Sequence, residues 1–261
     1  MELKPEEIKG NWEKLMGYIS QYISSPRKEK LLDFYKKYED RLILMPASHR
    51  KEYHNAIPGG YIDHVLRVLE IALATKKIWE SFGSDTSGFT EEELVFSAIN
   101  HDLGKMGDEN HEAYLPQDDK WRKEKLGEDY KHNTALPFTG IPERSLYLLQ
   151  AHGIIYTLNE MIAITTHDGM FDPGNEKYYK NFMAEQKPRN PLPYILHHAD
   201  MTAARIEFEG YWAEKSKDNL DSSKKGNTMS PSNKNPKNNT KNQKALGSIK
   251  SKGLANMLSD L

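Results

Sequence analysis

Three histidine–aspartate stretches carry the chemistry that this sequence offers. His64 shares a helical face with Val65, Val68 and Ala72; His101 lies seven residues after Leu94 and Asp102 four after Ala98; Asp200 lies four after Leu196. Residues three, four and seven apart fall on one side of a helix, so all three stretches project from the apolar side of their elements. A carboxylate beside an imidazole in a core is costly unless something pairs with it. Any one stretch alone reads equally as a hydrogen-bonded core histidine or an internal ion pair. Three helices aiming such groups inward point instead to a divalent cation, which several buried His and Asp side chains can share.

The elements that position these residues read as helices. Pro5-Glu6-Glu7 sets proline and acidic residues at a helix start, leading through about residue 23, and a second helix is predicted over 27–44. A third follows Pro58-Gly59-Gly60 and carries Ile62, Val65, Leu66, Leu69 and Ala72 on its stripe. Thr90, with Glu93 three residues on, forms a capping-box pattern before Leu94, Val95, Ala98 and Ile99. Residues 106–140 are polar and turn-rich, a long loop or lid with little regular structure. Helical periodicity resumes at 142–151, at 157–166 and from Leu192, where Ile195, Leu196, Ala199, Ala203 and Ile206 form a stripe. The expected fold class is all-α, without internal repeats.

Composition bounds the reading. At 261 residues and a formal net charge of −2, the chain can build one sizeable helical domain or two small ones. The absence of cysteine excludes disulfides, thiolate zinc sites and a cysteine nucleophile. No run approaches about 18 apolar residues, and Met1-Glu2-Leu3-Lys4-Pro5 has no signal-like apolar stretch, so a cytoplasmic protein with no membrane partner is expected. From Glu214 onward ten Lys stand against four Asp/Glu, which leaves the remaining 213 residues at −8. That acidic body disfavours stable nucleic-acid binding. Residues 226–243 hold one apolar side chain, Met229, and are expected to form a disordered basic tether. Leu254, Met257, Leu258 and Leu261 then recur at helical spacing. The expected domains are a helical extension over 1–44, a body over 45–213 and a tail over 214–261.

His64, His101-Asp102 and Asp200, taken with their contexts, resemble the H…HD…D signature of the HD-domain metal-dependent phosphohydrolases. Tyr53-His54-Asn55-Ala56-Ile57-Pro58-Gly59-Gly60-Tyr61-Ile62-Asp63-His64 is similar to the opening segment of a subgroup that includes the YhaM-type 3′–5′ exoribonucleases. Ala98-Ile99-Asn100-His101-Asp102-Leu103-Gly104-Lys105 resembles the family's HD-x-GK segment, and Leu196 to Ala204 its closing segment. The likeness spans roughly residues 45–208 and implies an HD-type helical bundle with an N-terminal helical extension.

The resemblance further implies a site. Family members with two metals add two histidines between the HD pair and the last Asp; His132 and His167 stand at those places, with His111 as a competitor for the first. Asp168 follows His167 where the family pattern has Gly after a second His, so it reads as a ligand, an orienting group or a solvent-facing substitute. The ligand set is then His64, His101, Asp102, His132, His167 and Asp200, around two divalent ions that Mn, Fe, Mg, Ni or Co would all satisfy. Asp102, Lys105 and Arg67 are the expected catalytic residues, Lys105 and Arg67 also reaching a substrate phosphate, with His54 and Tyr61 lining the entrance.

The expected activity is hydrolysis of a nucleotide-type phosphoester, a nucleoside mono- or triphosphate or a cyclic nucleotide, by metal-activated hydroxide. A 3′–5′ exonuclease or phosphodiesterase on short oligonucleotides, a di-iron oxygenase and a non-catalytic adaptor are the alternatives. The last draws on residues 253–261, loosely similar to clamp- or polymerase-docking tails of phage replication proteins. They would dock a protein partner, in a host cytoplasm were the chain phage-encoded.

Overall fold

The structure, a computed structural model, describes residues 2–51 and 53–225, with side chains only as far as residue 213. The chain divides into two compact units, Met1–Asp218 and Asn219–Leu261, and all packing below belongs to the first. The tether and the apolar terminal peptide expected beyond residue 225 lie outside the described residues.

Among the described residues ten α-helices and two short strands run in the order α1 (Pro5–Tyr22), α2 (Arg27–Lys37), α3 (Glu39–Leu42), α4 (Gly60–Ser81), α5 (Glu91–Asn100), β1 (Tyr114–Pro116), α6 (Lys120–Leu126), β2 (Tyr130–His132), α7 (Ile141–Ala151), α8 (Leu158–Thr166), α9 (Glu176–Tyr179) and α10 (Leu192–Lys225). The fold is mostly helical, with one two-stranded sheet among the described residues. None of these helices is long and apolar enough to cross a membrane.

The central element is α5. Leu94, Val95, Phe96, Ala98 and Ile99 are all fully buried, and α5 packs against α1, α4 and α8. Its start follows from Thr90, whose hydroxyl accepts from the Glu93 N–H at 3.1 Å while the Glu93 carboxylate accepts from the Thr90 N–H at 2.8 Å. Thr157 and Glu160 repeat the device at the start of α8. The two caps are tied together, because the Thr157 hydroxyl donates to Glu93 at 2.7 Å. This bond fixes the relative height of the helices that deliver His101 and His167.

Two expectations about organisation change. Trp12, Leu15 and Ile19 of α1 and Leu31, Phe34 and Tyr35 of α2 share one apolar core with Val65, Leu94 and Leu148. Packing therefore does not divide the body at residue 44. Residues 106–140 are also more regular than their polarity predicts. Strands β1 and β2 pair antiparallel with Tyr114 opposite His132 and Pro116 opposite Tyr130, and α6, capped by Asp119, fills the connection. Glu128, accepting from Arg50 at 2.7 Å and Arg122 at 2.6 Å, anchors this segment. Arg50 is remote from Glu128 in sequence, so local patterning could not disclose that pair.

Candidate metal centre

The HD turn sits where α5 ends. A short 3-10 turn, Leu103–Met106, follows directly, and α7 closes over it. The Ser145 hydroxyl accepts from the Gly104 N–H at 2.8 Å and donates to the His101 carbonyl at 3.1 Å, and the Arg144 guanidinium donates to the Gly104 carbonyl at 3.1 Å. Gly104 is required because a Cβ there would stand 2.2 Å from the Ile141 carbonyl oxygen. The side chain of Asp102 is thereby held in the lining of a cavity, with His101 fully buried beside it.

Three imidazoles are oriented alike. His101 Nδ1–H donates to the Ala98 carbonyl and His167 Nδ1–H to the Ile164 carbonyl, both at 2.8 Å. His64 Nδ1 faces both carboxylate oxygens of Glu207 at 3.1 and 3.2 Å. With each Nδ1 committed, each Nε2 is turned to the same space. His64 Nε2 lies 3.1 Å from Asp200 Oδ1 and 3.6 Å from Asp102 Oδ2; His101 Nε2 lies 3.5 Å from Asp102 Oδ2; His167 Nε2 lies 3.6 Å from Asp102 Oδ1.

The electrostatics follow from this crowding. Burial works against charge on Asp102, but Lys105 and His101 hold its carboxyl well below the usual carboxylate range. Asp200 is held low in the same way by His64 and His101. Burial opposes protonation of His64, yet Glu207 and Asp200 outweigh it and push the imidazole up to about 10. Asp102 and Asp168 push His167 to about 9 against the same burial cost.

The donor set fits a divalent cation. His64 Nε2 and His101 Nε2 are buried with no hydrogen-bond partner, a state normally satisfied by a ligand or ion. Four overlapping groups place their ligand atoms within 4.8 Å of one another: His54–His64–Asp102, His64–His101–Asp200, His101–Asp102–His167 and His167–Asp168–Asp200. Nitrogen and oxygen donors without sulfur suit Mn, Fe, Mg, Ni or Co.

The remaining predicted residues are sorted by the structure. His132 is not brought to the centre. It lies on β2 with its ring 4.6 Å from that of His49 and 5.3 Å from that of Tyr114, because the strand pairing turns it to that cluster. His54 takes a place beside the candidate ligands instead, its ring 4.8 Å from that of His64; burial and Lys105 push its pKa well below the ordinary imidazole value, which keeps the imidazole neutral. His111 pairs locally with Asp108 at 3.1 Å.

Tyr61 is fully buried in the core, so it lines no entrance. Arg67 is bound to Glu207 and, at 2.9 Å, to Asp63; it does not line the cavity over the centre and reaches no phosphate there. Lys105 does line that cavity, with Nζ 2.5 Å from Asp102 Oδ2 and 3.5 Å from His54 Nε2.

Glu207 is the residue that the sequence reading did not single out. It is buried between the Arg67 guanidinium and His64 Nδ1 and sets the direction of His64. Its position, seven residues after Asp200 on one helix, was the available signal. Above the centre opens a cavity of about 430 Å³ whose floor includes Asp102, Lys105, His167, Asp168 and Asp200.

Comparison with known proteins adds no relative: no family model, no curated protein and no solved structure matches this chain.

Proposed function

We propose that this chain is a metal-dependent phosphohydrolase of the helical HD type, acting on a nucleotide-type phosphoester. The observation that carries the reading is the convergence of three imidazole Nε2 atoms, each fixed through its Nδ1, on Asp102 and Asp200 beneath an open cavity. His64, His101, Asp102, His167 and Asp200 would hold the ions, two in number, with His54 and Asp168 in reach as further ligands. Divalent ions in such a site supply water of lowered pKa and stabilise charge that develops on phosphoryl oxygens.

The chain's own residues do the rest. Asp102 lies between His64, His101 and His167 and can contribute both oxygens. Lys105 holds Asp102 in place and presents an ammonium to the cavity, where it would meet an anionic substrate oxygen. Glu207 and Arg67 keep His64 turned toward the centre. The apolar side chains higher in the cavity exclude water from one side of the substrate.

The test measures metal content by mass spectrometry and phosphate release across a nucleotide panel, for wild type, Asp102→Ala and His132→Ala in parallel. Wild type is expected to carry about two equivalents of Mn or Fe and to hydrolyse at least one nucleotide. Asp102→Ala loses both properties, whereas His132→Ala retains its metal. A reconstituted wild type that binds no divalent ion sinks the proposal.

A further inference from the structure

The wall above the centre contains one charge that the site does not use. Two Lys or Arg side chains line the cavity. Lys105 is paired with Asp102 and already serves the centre, while Arg205 is exposed and has no hydrogen-bond or ion-pair partner among the described residues. Most surface guanidiniums find a nearby carboxylate or point to open solvent. This one faces a cavity.

Its place on α10 is informative. At about 100° per residue, with Asp200 taken as the origin, Ala204 falls near 40°, Phe208 near 80°, Met201 near 100° and Arg205 near 140°; all five line the cavity. Glu207 falls about 20° to the other side of Asp200, where it meets His64. One helix therefore shows the cavity a metal-binding edge, an apolar strip and a cationic edge. Five residues also separate Asp200 from Arg205 by about 7.5 Å along the axis. Phe171, two-thirds exposed, adds an aromatic face to the same cavity lining.

From this arrangement we propose that Arg205 forms a subsite for a second anionic group, and that the substrate is a nucleotide with phosphates on both sides of its apolar body, of the nucleoside 3′,5′-bisphosphate class. The inference rests on the phosphohydrolase reading and deepens it. Two cationic poles facing one cavity repel each other unless anions occupy both. The apolar strip between them fits a ribose and base better than a continuous run of phosphates. Arg205, with its planar fork of donors, is suited to a terminal phosphate.

The experiment compares kcat and KM of wild type, Arg205→Ala and Arg205→Lys, with Mn²⁺, on a nucleoside 5′-monophosphate and on the 3′,5′-bisphosphate of the same nucleoside. Wild type is expected to show the lower KM for the bisphosphate. Arg205→Ala raises that KM about tenfold or more, the loss of one charge-assisted pair, while kcat changes far less, so the preference between the two substrates disappears. Arg205→Lys restores part of it. Thermal melting checks that the variants are folded. An unchanged KM ratio in Arg205→Ala, with hydrolysis intact, overturns the inference and leaves the phosphohydrolase reading standing. A metal-loaded wild type that hydrolyses no phosphoester overturns both.

Discussion

Glu207 illustrates how one carboxylate can govern an imidazole of the candidate metal centre from outside it. The carboxylate accepts from Arg67 on one side and faces His64 Nδ1 on the other, so His64 presents Nε2 to the centre with its tautomer decided. Glu207→Gln keeps the shape and removes the charge. It is expected to weaken Mn²⁺ affinity by about 10- to 100-fold, read by isothermal titration, and Glu207→Asp should recover less than full affinity because the shorter arm does not reach both partners. An affinity equal to wild type in Glu207→Gln would leave His64 positioned by packing alone. Much of this centre was legible beforehand: His64, His101, Asp102 and Asp200 declared themselves by helical phase against Val65, Leu94, Ala98 and Leu196. Arg67 did not. It is held by Asp63 and Glu207, and the second of these becomes its partner only when α4 and α10 are set side by side. That His132 lies away from the centre and His54 beside His64 has a related reason, since periodicity orients a helical side chain and is silent on a loop.

At the level of elements, the pieces with local signals came out as expected. Thr90 caps α5 as its spacing from Glu93 predicts, and the stripe from Leu192 is buried as far as Ala203, whereas Ile206 at its end is half-exposed. The hairpin of β1 and β2 escapes the sequence because strands of three residues carry no usable period and the segment is anchored by Arg50, far away in the chain. Gly169 marks where two such elements meet. It has φ +54°, and a Cβ there would stand 2.2 Å from the ring of His197, whose Nδ1–H donates to the His167 carbonyl at 2.9 Å. Gly169→Ala is therefore expected to cost on the order of 1–3 kcal/mol and to lower metal occupancy, because His197 must move and His167 loses its brace. Gly10→Ala is the contrast, placed within α1 with nothing within 4 Å. It should gain about 0.5–1 kcal/mol. Urea unfolding of both variants, read with metal content, checks the pair; equal effects would mean that the contact with His197 relaxes freely.

For the molecule as a whole, the candidate centre would make stability and the proposed metal binding depend on pH in linked ways. His64 is pushed up to about 10 and His167 to about 9 from an ordinary imidazole value of 6.5. Both are raised, so with metal chelated their contribution to folding is fully present below pH 6.5 and is lost as pH climbs through about 9 and then about 10. Asp102 and Asp200 are depressed, and they act only in acid, when falling pH protonates them. A divalent cation needs the unprotonated Nε2 atoms and must displace those same protons. Its affinity should therefore rise steadily from pH 6.5 toward 9, with proton release visible as a dependence of the binding heat on the ionisation enthalpy of the buffer. Because a ligand of the folded state alone raises stability in proportion to its saturation, the gap in melting temperature between Mn²⁺-loaded and chelated protein should widen over that range. The chelated protein falls while the loaded one holds. A gap that stays constant or narrows with rising pH would mean that protons and metal do not compete for His64 and His167, and would remove these two imidazoles from the ligand set.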